Sequence, residues 1–204
     1  DFLLEPGKSV CSAEIKHTDQ IVEWYYEIFD KLKLKKVNIV GASRGGWLAI
    51  NIALRNKARI NKMALLSPAQ TFTWIKLGPK TLFNIAYSVF PKRKKFRNVM
   101  ETVTVDVDKI NQLYLNQYYL ATKKGIFHKC FLQMTPFPEK ELKLLKMPIL
   151  VLIGDHDIIN NDKSLKRAKQ DFLNIRTKEI KNSGHFLSID QPEIVDKLLI
   201  DFLK

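Results

Sequence analysis

The chain has 204 residues, enough for one domain or one domain with a sizeable insertion, and its 46% hydrophobic and 27% charged residues exclude a disordered or low-complexity scaffold. Two cysteines, Cys11 and Cys130, are too few for a disulfide framework and read as reduced and cytoplasmic, and no stretch reaches the roughly 18 consecutive apolar residues of a membrane span. A formal net charge of +13 raises the question of anionic partners.

Asp1-Phe2-Leu3-Leu4-Glu5 carries neither an initiator Met nor a signal-peptide pattern, so the chain is expected to start in the middle of a longer unit. Glu5-Pro6-Gly7-Lys8-Ser9 is turn-rich. From Thr18 the spacing of Ile21, Tyr25, Ile28, Phe29 and Leu32 predicts an amphipathic helix. Val37-Asn38-Ile39-Val40 predicts a buried strand, followed by a Gly41 to Gly46 turn and an apolar helix over 47–55. Met63-Ala64-Leu65-Leu66 predicts a second buried strand, stopped at Ser67-Pro68, and 148–153 a third, the clearest of all. An amphipathic helix is expected over 163–172 and a half-exposed edge strand over 175–180. The last helix is expected to start near Asp190, with Pro192 in its first turn, and to bury Ile194, Leu198 and Phe202.

Strands that alternate with helices and are continuously apolar imply an α/β fold with a mostly parallel sheet covered on both faces. Residues 71–140 break this rhythm. They hold 12 Lys/Arg against 4 Asp/Glu, hence +8 of the +13, and 12 of the 21 aromatic residues. The chain therefore divides into a first core segment (1–70), a mostly helical insertion (71–140) and a second core segment (141–204).

Gly41-Ala42-Ser43-Arg44-Gly45 is a G-x-S-x-G, a pattern that chance produces in roughly one chain of this length in fifteen. Its position between a predicted strand and a predicted helix makes it more specific, because a tight strand-to-helix turn lifts a serine Oγ clear of the sheet. The Arg44 amide would then open the helix, where a developing oxyanion is stabilised. A serine needs a base. Of the four histidines, His17 and His128 lack acidic or turn context and read as surface or packing residues. His156 lies on the loop that should carry the acid, which leaves His185, in the turn Asn182-Ser183-Gly184-His185-Phe186. The acid that orients the imidazole is Asp155 or Asp157, both on the loop leaving the clearest strand, at the carboxyl edge where open α/β sheets place their sites.

Together these motifs resemble the α/β-hydrolase superfamily, in particular its capped, carboxylesterase-like serine members, over nearly the whole chain. Residues 37–49 (VNIVGASRGGWLA) resemble the strand–nucleophile–helix unit, residues 148–157 (PILVLIGDHD) the acid-bearing strand and loop, and residues 183–193 (SGHFLSIDQPE) the histidine loop and final helix. In that family the acid falls three residues after the glycine, which selects Asp157. Asp1 to Ser9 is similar to the D-x-x-G-x-G-x-S stretch after the fourth strand, with Glu5 in place of the first glycine.

The resemblance implies a serine hydrolase of a small carboxylic ester or related acyl compound, with Ser43, His185 and Asp157 as triad and the Arg44 N–H in the oxyanion hole. It implies no metal and no organic cofactor, and residues 71–140 as a cap. The serine argues against the dehalogenase branch; acyl transfer to an acceptor other than water stays open. The family also implies about three strands and a helix ahead of Asp1, including the loop that supplies a second oxyanion amide. A chain lacking them is expected to be impaired, or a binding or oligomerising remnant that self-associates through the bared edge of strand 37–40. The run Lys92-Arg93-Lys94-Lys95, with Arg97 beyond, comes with no nucleic-acid motif and reads as a solvated helix end. Phe72, Trp74, Phe83, Tyr87 and Phe90 are expected to build the cap's own small core or to line an acyl pocket.

Overall fold

Four parallel strands form one sheet in the order β1 (Val37–Ala42), β2 (Ile60–Leu66), β3 (Ile149–Gly154) and β4 (Ile175–Ile180). The computed structural model describes residues 4, 8–75, 77–125, 130 and 133–204; most of the turn-rich start and His128 lie outside them. All six residues of β3 are buried, as expected of a strand with neighbours on both sides and helices on both faces. The alternation of side chains divides the core in two. Met63 and Leu65 with Ile149, Val151 and Ile153 pack beneath α1 (Thr18–Lys31), α2 (Arg44–Arg55) and α7 (Asp162–Asp171). Ala64 and Leu66 with Leu150 and Leu152 face the C-terminal helix (Pro192–Leu203). Each such buried aliphatic side chain contributes roughly 1.5–3 kcal/mol relative to exposure.

Four expectations shift. Strand 37–40 is not a buried strand among the described residues: β1 pairs with β2 alone and Val40 is 47% exposed. The helix after the serine begins at Arg44 rather than Trp47, because the turn at Ser43 leads straight into it. On the C-terminal helix the inward face is Val195, Leu198, Leu199 and Phe202, whereas Ile194 is exposed. Both sets fit the helical period, and packing against β2, β3 and β4 selects the one shifted by a residue. Leu32, just past α1, is likewise exposed. The edge-strand reading of 175–180 holds.

Between β2 and β3 the chain runs through α3 (Pro79–Val89), α4 (Arg93–Val103) and α5 (Gln112–Lys124) before the short α6 (Glu139–Leu142). Tyr87, Phe96, Val99, Met100, Val103, Val107 and Ile110 form a separate apolar cluster with Phe83, Tyr118 and Tyr119 at its margin. Phe72 instead joins the main core against Phe172, and Trp74 and Phe90 are exposed. Lys92 to Lys95 are exposed at the start of α4.

The segment leaves and returns at one place. Phe137 N–H donates to the Thr71 carbonyl (3.1 Å). Arg167 on α7 donates to the carbonyls of both Phe72 and Phe137 while its Nε bonds Asp171 (2.9 Å). Arg167→Ala is expected to cost about 2 kcal/mol, the range for hydrogen bonds from a charged donor, and so to lower Tm by about 4–8 °C in thermal melts. Arg167→Lys is expected to recover little, since an ammonium cannot span both carbonyls in one plane.

Candidate active site

Ser43 stands at the end of β1 with φ 50° and ψ −120°, a conformation that costs a non-glycine residue about 1–3 kcal/mol. Its backbone is fixed from three directions. Ser43 N–H donates to Leu66 O (2.9 Å), and Ser43 O accepts from Gly46 N–H (3.0 Å) and Ala69 N–H (3.1 Å). A Cβ at Gly41 would stand 2.3 Å from the Gly45 carbonyl oxygen, and one at Gly46 would stand 2.7 Å from Pro68 Cβ. The outer glycine of the sequence motif, Gly45, has open space where its side chain would be. The close approach that admits the turn therefore depends on Gly41 and Gly46.

His185 comes from the loop after β4 and is 7% exposed. Two contacts join this loop to the one after β3: His156 N–H donates to Ser183 O (2.9 Å), and Ser183 N–H donates to Asp155 Oδ1 (3.1 Å). Gly154 permits them, since a Cβ there would stand 2.3 Å from the carbonyl oxygens of Ser183 and Gly184. His185 Nε2 lies 2.8 Å from Ser43 Oγ and Nδ1 lies 3.0 Å from Asp157 Oδ1. An ionised carboxylate only accepts, so Nδ1 carries the proton and Nε2 is left to accept from the serine hydroxyl.

The Asp157 side chain is 1% exposed. Its Oδ1 also accepts from Ile159 N–H (2.8 Å) and Asn160 N–H (3.2 Å), and its Oδ2 from Asn160 Nδ2 (2.9 Å). Burial pushes this carboxyl up, but His185 and the donors at Asn160 and Ile159 together hold it below the ordinary aspartate value. Asp155, the other candidate, does not reach His185. It bonds the exposed His156 (2.8 Å) and the Ser183 amide, so it binds one loop to the next. His17 is exposed at the start of α1, its N–H bonded to Gln20 Oε1 (3.0 Å). Arg44 is the first residue of α2, directly after Ser43.

Thus Ser43, His185 and Asp157 come together from three loops at the carboxyl ends of β1, β4 and β3. Sequence reasoning passed over Asn160, whose place three residues after an aspartate is a local turn signal, and Asp190, which joins the nearby Gly184 to the distant Val105. Among the described residues no helix is long and apolar enough to cross a membrane.

A parallel α/β sheet with a serine raised on a strand–helix turn against a histidine and a buried carboxylate is the arrangement of an α/β-hydrolase. Known proteins agree. The family model for serine aminopeptidase S33 (Hydrolase_4) matches residues 7–191. Carboxylesterase YbfK of Bacillus subtilis is 27% identical over 210 residues, covering 100% of this chain and 69% of that protein. The uncharacterized carboxylesterase nap of the same organism is 27% identical over 216 residues, covering 99% and 68%. The crystal structure of naproxen esterase from Bacillus subtilis superposes with a TM-score of 0.89 at 25% identity, over 100% of this chain and 72% of that one. The chain belongs to the serine aminopeptidase S33 family of α/β-hydrolases and is a carboxylesterase-like hydrolase.

Proposed function

We propose that the chain hydrolyses a small carboxylic ester through an acyl-enzyme on Ser43. The observation that carries this reading is the unbroken hydrogen-bonded line from Ser43 Oγ through His185 to Asp157, at 2.8 and 3.0 Å. In the first half-reaction Oγ attacks the acyl carbon while His185 Nε2 takes its proton. The carbonyl oxygen becomes an oxyanion facing the Arg44 N–H at the start of α2. The C–O bond to the alcohol breaks as the imidazolium returns that proton to the departing oxygen. Water then attacks the acyl carbon, His185 again accepts the proton, and the acid leaves with Ser43 restored. Asp157 keeps the imidazole in the required tautomer and stabilises its charged form. No step requires a metal or an organic cofactor.

We assign the core to residues 1–70 and 141–204 and a cap to residues 71–140. The hydrogen bond between Thr71 and Phe137 supports these limits. The cap reading is supported by Ile158, Phe186 and Ile189, from the acid and histidine loops, which pack against the apolar cluster of α3–α5.

The test is covalent. A fluorophosphonate probe forms a P–O bond to the activated serine with loss of fluoride, and mass spectrometry of the digested protein locates it. The expected outcome is one adduct, on Ser43, together with hydrolysis of p-nitrophenyl acetate. Labelling elsewhere, or ester hydrolysis with Ser43 unlabelled, refutes the assignment.

A further inference from the structure

We propose that Asp190 is a positioning residue that couples the helical segment to His185; the proposal rests on the reading of Ser43, His185 and Asp157 above. Asp190 ends α8 (Leu187–Asp190), four residues beyond the loop's histidine-bearing turn. Its Oδ2 accepts from Gly184 N–H (2.7 Å) and its Oδ1 from Val105 N–H (3.1 Å). On the other side of the histidine, Phe186 N–H donates to Val103 O (3.0 Å). Both chain neighbours of His185 are thus held to residues 103–105, where α4 ends, one directly and one through the Asp190 carboxylate. The approach is close: a Cβ on Gly184 would stand 2.5 Å from the Val103 carbonyl oxygen. The Phe186 ring extends the contact, lying 5.9 Å from the His185 ring and 5.7 Å, edge-on, from Tyr118 of α5.

The chemistry requires an acid at this position. Two backbone N–H groups from separate segments converge on one side chain, and only a carboxylate offers an acceptor to each. An amide there would turn its own N–H₂ toward one of them. A shift of the end of α4 would then move Gly184 and Phe186 together and tilt the imidazole between Ser43 and Asp157. Misplacement by about 1 Å at a reacting group costs on the order of 100-fold in rate.

The test uses the full chain and two independent variants. Asp190→Asn removes one acceptor. Val105→Pro removes the donor from the helical segment and leaves the Gly184 bond; Thr104 before it is extended (φ −127°, ψ 157°), as a residue preceding proline should be. His185 is followed by the NMR resonance of its Nδ1–H proton, and Ser43 by its rate of fluorophosphonate labelling. In either variant that melts cooperatively, the His185 Nδ1–H resonance is expected to move upfield, because an imidazole turned away from Asp157 donates a weaker hydrogen bond. The labelling rate is expected to drop about 10-fold to 100-fold. Asn84→Ala, which cuts the Asn84–Thr102 hydrogen bond (2.7 Å) inside the helical segment, is expected to alter neither. An unchanged His185 Nδ1–H resonance in a folded variant, or an equal change in Asn84→Ala, overturns the coupling. Failure of wild-type Ser43 to label overturns the hydrolytic reading instead, and the Nδ1–H resonance still decides for or against Asp190.

Discussion

Ser43→Ala is expected to lower kcat for ester hydrolysis by about 10⁴-fold to 10⁶-fold, with KM nearly unchanged. The hydroxyl is the only atom group removed, and the surrounding hydrogen bonds are made by the Ser43 backbone, so Tm should stay within a few degrees of wild type. Alanine still occupies φ 50° and gains no relief from the strain. In the proposed mechanism serine and base act as a unit, so His185→Ala is expected to cost a similar factor and the double variant hardly more than either. Steady-state kinetics on the three proteins decides the matter. Multiplicative losses would mean that the two residues act separately and would remove the basis for the mechanism.

Asp157→Asn is expected to lower kcat by about 10⁴-fold while leaving the loop in place. An asparagine oxygen or nitrogen can face Nδ1. With the N–H₂ there, the imidazole must accept at Nδ1 and carry its proton on Nε2, pointing at the serine it should deprotonate. The same variant tests the electrostatics through stability. The folded-state pKa of Asp157 lies below its ordinary value, so its ionised form stabilises the fold. That contribution is complete above the unfolded-state value of about 3.9 and is lost as pH falls through the lower folded-state value. Urea melts across the acid range should therefore show the stability gap between wild type and Asp157→Asn narrowing as pH decreases. A gap that widens toward low pH would mean that burial, not the His185 contact, dominates at this carboxylate.

The parts of the molecule legible in the sequence are those written in local pattern. Residues 149–154 are continuously apolar because both faces of β3 are covered, and that could be read directly. The turn at Ser43 was visible as a cluster of small residues, but not which glycines it depends on. Gly46 meets Pro68 from beyond the end of β2, a contact no local pattern encodes. Asp155 and Asp157 are equivalent by composition, and in the sequence only the family resemblance selects Asp157; in the structure the turn after β3 sends one toward Ser183 and the other toward His185. On the C-terminal helix Leu198 and Phe202 face inward as the spacing predicts, and Val195 takes the place expected of Ile194; both are apolar and only the sheet distinguishes them. The roles of Arg167 and Asp190 are not legible for a shared reason: each bonds a main-chain atom far away in sequence, Arg167 at Phe72 and Asp190 at Val105, and backbone groups are the same at every position.

The meeting of Thr71 with Phe137 bears on how such a sequence can change over time. Because the two ends are one hydrogen bond apart, whatever lies between them is a side excursion whose length never enters the register of the sheet. Closing a flexible excursion twice as long costs only about 0.6 kcal/mol more. Helices can therefore be added, shortened or exchanged there at little thermodynamic cost, while β2 and β3 stay paired. Residues 103–105 are less free, since they are held to the neighbours of His185, as is the apolar face of α3–α5 that meets Ile158, Phe186 and Ile189. Drift should be broad across the excursion and narrow where it meets those two loops.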